Sequence, residues 1–136
     1  MDNFSPYALV ADDDAFIRLD AKMILEDAGF RVHLAANAEA GLLILEEHGE
    51  SIQLLFTDVQ MPPGIMTGFD LARKCAETWP EVGIIIASGA VEPEADELPP
   101  GAVFIRKPFS EDVVINHLKL ILPDGRQPER LKKSVP

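Results

Sequence analysis

Apolar residues fall along this chain in short runs and helical stripes that alternate, and the short runs repeatedly end on an acidic, hydroxyl or basic residue. Tyr7 to Ala11 (YALVA) reads as a strand broken off by Asp12, Asp13 and Asp14. Behind it Phe16, Leu19 and Met23 recur at helical spacing, alongside Ile17, Ala21, Ile24 and Ala28. Gly29 stops that helix, and Arg31 to Ala35 (RVHLA) follows as a more polar strand. Asn37 is placed to cap a helix from Ala38 to His48, which Gly49 ends. Gln53 to Thr57 (QLLFT) is a third strand ending on Asp58, followed by the turn-rich loop VQMPPGIMTG. A helix from about Phe69 to Trp79 stops at Pro80. Val82 to Ala87 (VGIIIA) is almost wholly apolar and β-branched, as suits a strand buried on both faces, and Ser88-Gly89 punctuates its end. The next stretch carries Pro93, Pro99 and Pro100, which limit any helix there to about two turns. Ala102 to Arg106 (AVFIR) is a fifth strand and Lys107-Pro108 a turn. Ser110 caps a last helix with Val114, His117, Leu118 and Ile121 on one face.

Strands that alternate with helices at this spacing require crossover connections, so the sheet is predicted to be parallel and covered on both sides. Right-handed crossovers then give a doubly wound α/β domain, in which functional groups collect at the carboxyl ends of the strands. With 136 residues, 47% of them hydrophobic, there is material for one cored domain and no room for a second. We assign residues 1–122 to that domain and 123–136, which turn polar and Pro-containing, to a flexible tail.

Charge narrows the function. A net charge of −11 argues against nucleic acid as a direct partner, because phosphate contacts need clustered Lys and Arg. No apolar run reaches membrane-spanning length and residues 1–6 lack the regions of a signal peptide, so the expected location is cytoplasmic. The lone Cys75 sits among apolar-periodic positions and reads as core.

The chemistry gathers at the predicted strand ends: Asp12 and Asp13 after the first, Asp58 after the third, Ser88 after the fourth, Lys107 after the fifth. Carboxylates roughly 5 Å apart repel by about 3 kcal/mol per pair at an effective dielectric of 20, which a hard divalent cation such as Mg²⁺ relieves. Lys107 adds a positive charge for a phosphoryl oxygen and Ser88 a hydroxyl donor. Together these groups suit a phosphoryl group held on a carboxylate. Taken singly, each has a plainer use. Asp14 reads as a helix cap, Asp58 could be a turn residue and Lys107 a solvated lysine; the joint placement carries the signal.

Four motifs, VADDD with Arg18, TDVQMP, IIIASG and FIRKPF, together resemble the receiver domain of two-component response regulators over about Tyr7 to Leu122. The resemblance implies a CheY-like, flavodoxin-like five-stranded sheet of order 2-1-3-4-5, an order for which the chemotaxis receiver is itself the standard example. It also implies Asp58 as phosphoacceptor and Mg²⁺ bound by Asp13 and Asp58, by Asp12 largely through water, and by the backbone carbonyl of Gln60. Ser88 and Lys107 would contact the phosphoryl oxygens, and Phe104 would be the aromatic switch residue. The implied phosphodonor is a sensor histidine kinase or histidine phosphotransfer protein. Two departures stand out. Gly68 lies ten residues after Asp58, a longer loop than the family's, and the connection from Ser88 to Phe104 is short and proline-rich, predicting a stunted or irregular fourth helix.

The expected function is therefore a stand-alone response regulator that signals by protein contact and catalyses only its own phosphorylation and dephosphorylation. The alternatives are a phosphorylation-independent pseudo-receiver adaptor, disfavoured because all five site residue types are present, and a phosphohydrolase. The latter would want an acid two residues after Asp58, where Gln60 stands.

Overall fold

The computed structural model describes residues 6–62, 64–89, 92–94 and 96–133. Its strands are β1 (Tyr7–Ala11), β2 (Arg31–Ala35), β3 (Ile52–Thr57), β4 (Gly83–Ser88) and β5 (Val103–Arg106). All pairings are parallel and the order is β2-β1-β3-β4-β5. The helices are α1 (Ala15–Asp27), α2 (Ala38–His48), α3 (Gly68–Thr78), α4 (Glu111–Ile121) and the short α5 (Glu129–Lys133). The expected order and doubly wound architecture are thus observed.

Local chemistry fixes the boundaries. Asp14 begins α1 by accepting from the amides of Phe16 and Ile17 at 2.9 and 3.1 Å, the capping role read for it. Asn37 caps α2 through the Ala40 amide at 2.8 Å, and Ser110 caps α4. Thr67 and Asp70 start α3 with a reciprocal capping box. Gly29 ends the turn after α1 at a φ of +106°, a conformation side chains resist.

The sheet separates two apolar layers. On one face Ala8, Val10, Leu54, Phe56, Ile85 and Ala87 pack against α1 and α4. On the other, Leu9, Ala11, Leu55, Ile84 and Ile86 pack against α2 and α3, with Cys75 fully buried among them. Burial pushes the Cys75 thiol up to about 12, so it is core. The α1 stripe divides: Ala21, Ile24, Leu25 and Ala28 face the sheet, while Phe16, Leu19 and Met23 are 86%, 50% and 62% exposed. On α4 the buried positions are Val114, Ile115 and Leu118; His117 lies outside them, its ring nitrogen Nδ1 bonded to the Val113 carbonyl.

Between β4 and β5 the described residues form turns and no helix, where a stunted or irregular one was expected; the prolines interrupt the backbone ladder there. Residues 124–133, predicted as a flexible tail, instead fold back on the domain. Asp124–Arg126 makes a 3₁₀ turn, Gln127 donates to the Leu122 carbonyl at 2.7 Å, and Leu131 of α5 is fully buried in the α1–α4 layer. Arg126 reaches Gln53 of β3 and Glu81. Buried Pro128 and Leu131, with the polar contacts of Arg126 and Gln127, order a segment whose composition is otherwise that of a solvated tail.

Candidate functional site

Parallel strands bring their carboxyl ends to one rim, and the predicted groups arrive there. Asp12, directly after β1, is 2% exposed; its amide donates to the Ala35 carbonyl at 3.1 Å. Its own Oδ1 accepts from the Asp14 amide at 2.9 Å, while Arg18 grips its carbonyl at 2.7 Å. Asp13 is exposed at the mouth. Asp58, directly after β3, is 9% exposed, with its amide on the Ala11 carbonyl at 2.8 Å and its Oδ1 accepting from Val59 at 2.8 Å. Carboxylate oxygens of Asp12, Asp13 and Asp58 lie within 4.8 Å of one another.

Lys107 bridges the two buried acids, its Nζ 2.9 Å from Asp12 Oδ2 and 3.2 Å from Asp58 Oδ1. Burial and the neighbouring Asp12 charge raise the Asp58 pKa, and Lys107 only partly offsets them. For Lys107, burial acts to lower the pKa, but its hydrogen bonds and charge contacts to Asp12 and Asp58 prevail and raise it, so the ammonium is firmly held. One cation thus serves more negative charge than it balances. A donor set of three carboxylates in a pocket still short of positive charge fits a hard divalent ion.

Ser88 ends β4 and is 4% exposed, and its carbonyl accepts from the Lys107 amide at 3.1 Å, which ties the last two strand ends together. Phe104 is half-buried in β5, opposite Ile86, and packs on the α2–α3 layer. Gln60 lies in the loop after Asp58, exposed. That loop closes tightly: Gly68 donates to the Val59 carbonyl at 2.7 Å, and a Cβ on Gly68 would stand 1.7 Å from the Asp58 carbonyl oxygen, so no other residue fits without moving the backbone.

Two features of the rim escaped the sequence reading. Glu39 of α2 accepts from the amides of Ile65 and Met66 at 2.8 and 3.0 Å, clamping the long loop. An acid in the first turn of a helix ordinarily signals only the helix dipole, so nothing in the sequence pointed to the loop. The exposed Phe16–Leu19–Met23 stripe starts beside Asp13 and Asp14, but periodicity alone does not say which face of α1 is covered. His33 and His48 stack on one another at 4.8 Å, and His33 also stacks on Tyr7 at 4.7 Å.

Comparison with known proteins agrees with this geometry. A family model described as "Response regulator receiver domain" matches residues 8–119. The chain is 34% identical over 118 residues to "Chemotaxis protein CheY" of Bacillus subtilis, covering 84% of this chain and 95% of that protein. It is 38% identical over 105 residues to "Sensor kinase CckA" of Brucella abortus, covering 75% of this chain and 11% of that kinase. It spans only 23% of the NtrX-like regulator of Rickettsia bellii, another relative. A response regulator receiver protein from Sinorhizobium medicae has the same fold, with a TM-score of 0.81 and 28% identity over 90% of this chain and 98% of that one. The chain belongs to the response regulator receiver domain family, a class of phosphoryl-accepting signalling domains in two-component systems.

Proposed function

We propose that this receiver takes a phosphoryl group onto the Asp58 carboxylate from a phosphohistidine of a sensor histidine kinase or histidine phosphotransfer protein, and signals by protein contact in the cytoplasm. The carrying observation is the buried Asp58 carboxylate, 3.2 Å from Lys107 and within 4.8 Å of Asp12 and Asp13. In the transfer, the P–N bond of the donor breaks with its electron pair left on the imidazole, while an Asp58 oxygen forms the new P–O bond. Asp12, Asp13, Asp58 and the Gln60 carbonyl would hold Mg²⁺, which supplies positive charge to the phosphoryl oxygens.

The chain's own groups do the rest. Lys107 already sits on the Asp58 oxygen and can follow the charge outward to a phosphoryl oxygen as a point donor. Ser88, at the neighbouring strand end, would donate to another, and its displacement opens space toward Phe104, one strand away. Phosphorylation then biases two arrangements of the surface around β5. Phe16, Leu19 and Met23 lie exposed along α1 from the rim downward, an apolar strip on which the donor protein can rest while its histidine reaches Asp58. No described helix is long and apolar enough to cross a membrane. The acidic surface, at a net charge of −11, disfavours nucleic acid.

Incubation with acetyl phosphate and Mg²⁺ tests the reading. Intact mass should show one phosphoryl adduct on the wild type and none on Asp58→Asn. An unmodified wild type, beside a receiver that reacts under the same conditions, would instead favour the phosphorylation-independent adaptor.

A further inference from the structure

We infer that Glu39 is a positioning residue for the phosphorylation site: by latching the lengthened loop after Asp58 onto α2, it fixes the backbone that carries Gln60 and so sets the affinity for Mg²⁺. The inference rests on the function proposed above and adds a residue on an element that contributes none of the site's own groups.

The loop is anchored unevenly. Its first residues are held by the core, with Val59 and Met61 only 3% and 2% exposed, and its end is held by Gly68 on the Val59 carbonyl and by the Thr67–Asp70 capping box. Among the described residues of the outer bend the Ile65 side chain is 93% exposed, and Met66 is only partly buried against the α2–α3 layer. The backbone of that bend is held by one carboxylate oxygen, Glu39 Oε2, which accepts from the Ile65 amide at 2.8 Å and the Met66 amide at 3.0 Å. Gly64 lies against the same carboxylate, so that a Cβ there would stand 2.2 Å from Oε1. Oε1 is itself buried and has no hydrogen-bond partner among the described residues.

Glu39 is well suited to the task. Asn37 caps α2 two residues earlier, so the carboxylate lies in the first helical turn, where the helix dipole favours negative charge. The Met66 amide is the largest influence holding its carboxyl below the usual range, so the latch is charged at neutral pH. Gln60 is five residues from Ile65 on a loop pinned at both ends, and a loop that loses its outer restraint samples more positions of that carbonyl.

Three variants test this: Glu39→Ala, which removes the acceptor; Gly64→Ala, which pushes the carboxylate away from the loop; and the two together. Mg²⁺ alone is titrated into each, read by the amide NMR shifts of Asp13 and Gln60, with thermal unfolding in chelator as the control for folding. Each single variant should weaken Mg²⁺ binding about tenfold, the scale of outer partners of metal ligands. The double variant should be no weaker than either single one, because both break the same contact. Glu39→Gln keeps one carbonyl acceptor and should fall between, which also carries the test if Glu39→Ala does not fold. Mg²⁺ affinity within twofold of wild type in Glu39→Ala, or additive losses in the double variant, overturns the inference. A wild type that neither binds Mg²⁺ nor accepts phosphate from acetyl phosphate would overturn the proposed function itself, a result distinct from the first two.

Discussion

Asp58 is held where its own charge is unwelcome, so removing that charge should make the metal-free protein more stable. The magnitude follows from the distances. Lys107 at 3.2 Å attracts the carboxylate by about 5 kcal/mol at an effective dielectric of 20. Asp12, with ligand oxygens within 4.8 Å, repels it by about 3.5 kcal/mol on the same scale, and the exposed Asp13 adds a smaller, solvent-screened share. The charge terms nearly cancel, and the burial of a group only 9% exposed is left uncompensated. This is why its pKa is raised. A raised folded-state value means that the protonated form contributes stability fully below the ordinary value of 3.8, and that this contribution is lost as pH rises through the folded value. At pH 7 the wild type therefore carries a penalty that Asp58→Asn removes. The substituted amide keeps a carbonyl oxygen for the Val59 N–H, and Lys107 keeps Asp12. We expect a gain on the order of 1 kcal/mol, or about 2–4 °C in Tm for a domain of this size. Thermal unfolding in chelator at pH 7 and again below pH 4 measures it; the difference should vanish at the lower pH, and Mg²⁺ should stabilise wild type more than the variant. A variant that unfolds at the same or a lower temperature than wild type at pH 7 in chelator would refute the electrostatic reasoning.

Leu131→Ala should cost about 2–5 kcal/mol, the usual range for a fully buried leucine, and lower Tm accordingly; a change under about half a kcal/mol would mean that α5 does not pack in solution. Cys75, fully buried with its thiol pushed up to about 12, should react with an aromatic disulfide reagent only in denaturant, and prompt native labelling would contradict its place in the core.

Much of this was legible in the sequence because strand ends announce themselves. A short apolar run interrupted by Asp58, Ser88 or Lys107 states both the strand and the rim, and the order of those interruptions carries the site. The stunted connection after Ser88 was legible through its prolines, since the physics there is local. Other features depend on what faces what. Periodicity put Phe16 and Ile24 on the same helix but could not tell the exposed stripe from the buried one, because α1 is apolar on both sides. Leu131 stands between Arg130 and Lys132, so its slot beneath α1 and α4 is invisible in composition. Glu39 reaches a loop 26 residues away, a pairing that no local rule encodes.

The central claim is that Asp58 is the residue that carries the phosphoryl group. An aspartyl phosphate is reduced by borohydride to homoserine, which leaves a permanent mark at the modified position. Protein treated with acetyl phosphate and Mg²⁺, reduced and digested should yield homoserine in place of Asp58 and of no other aspartate. Homoserine in place of Asp12 or Asp13, or none anywhere in protein shown to be folded and metal-bound, would contradict the account.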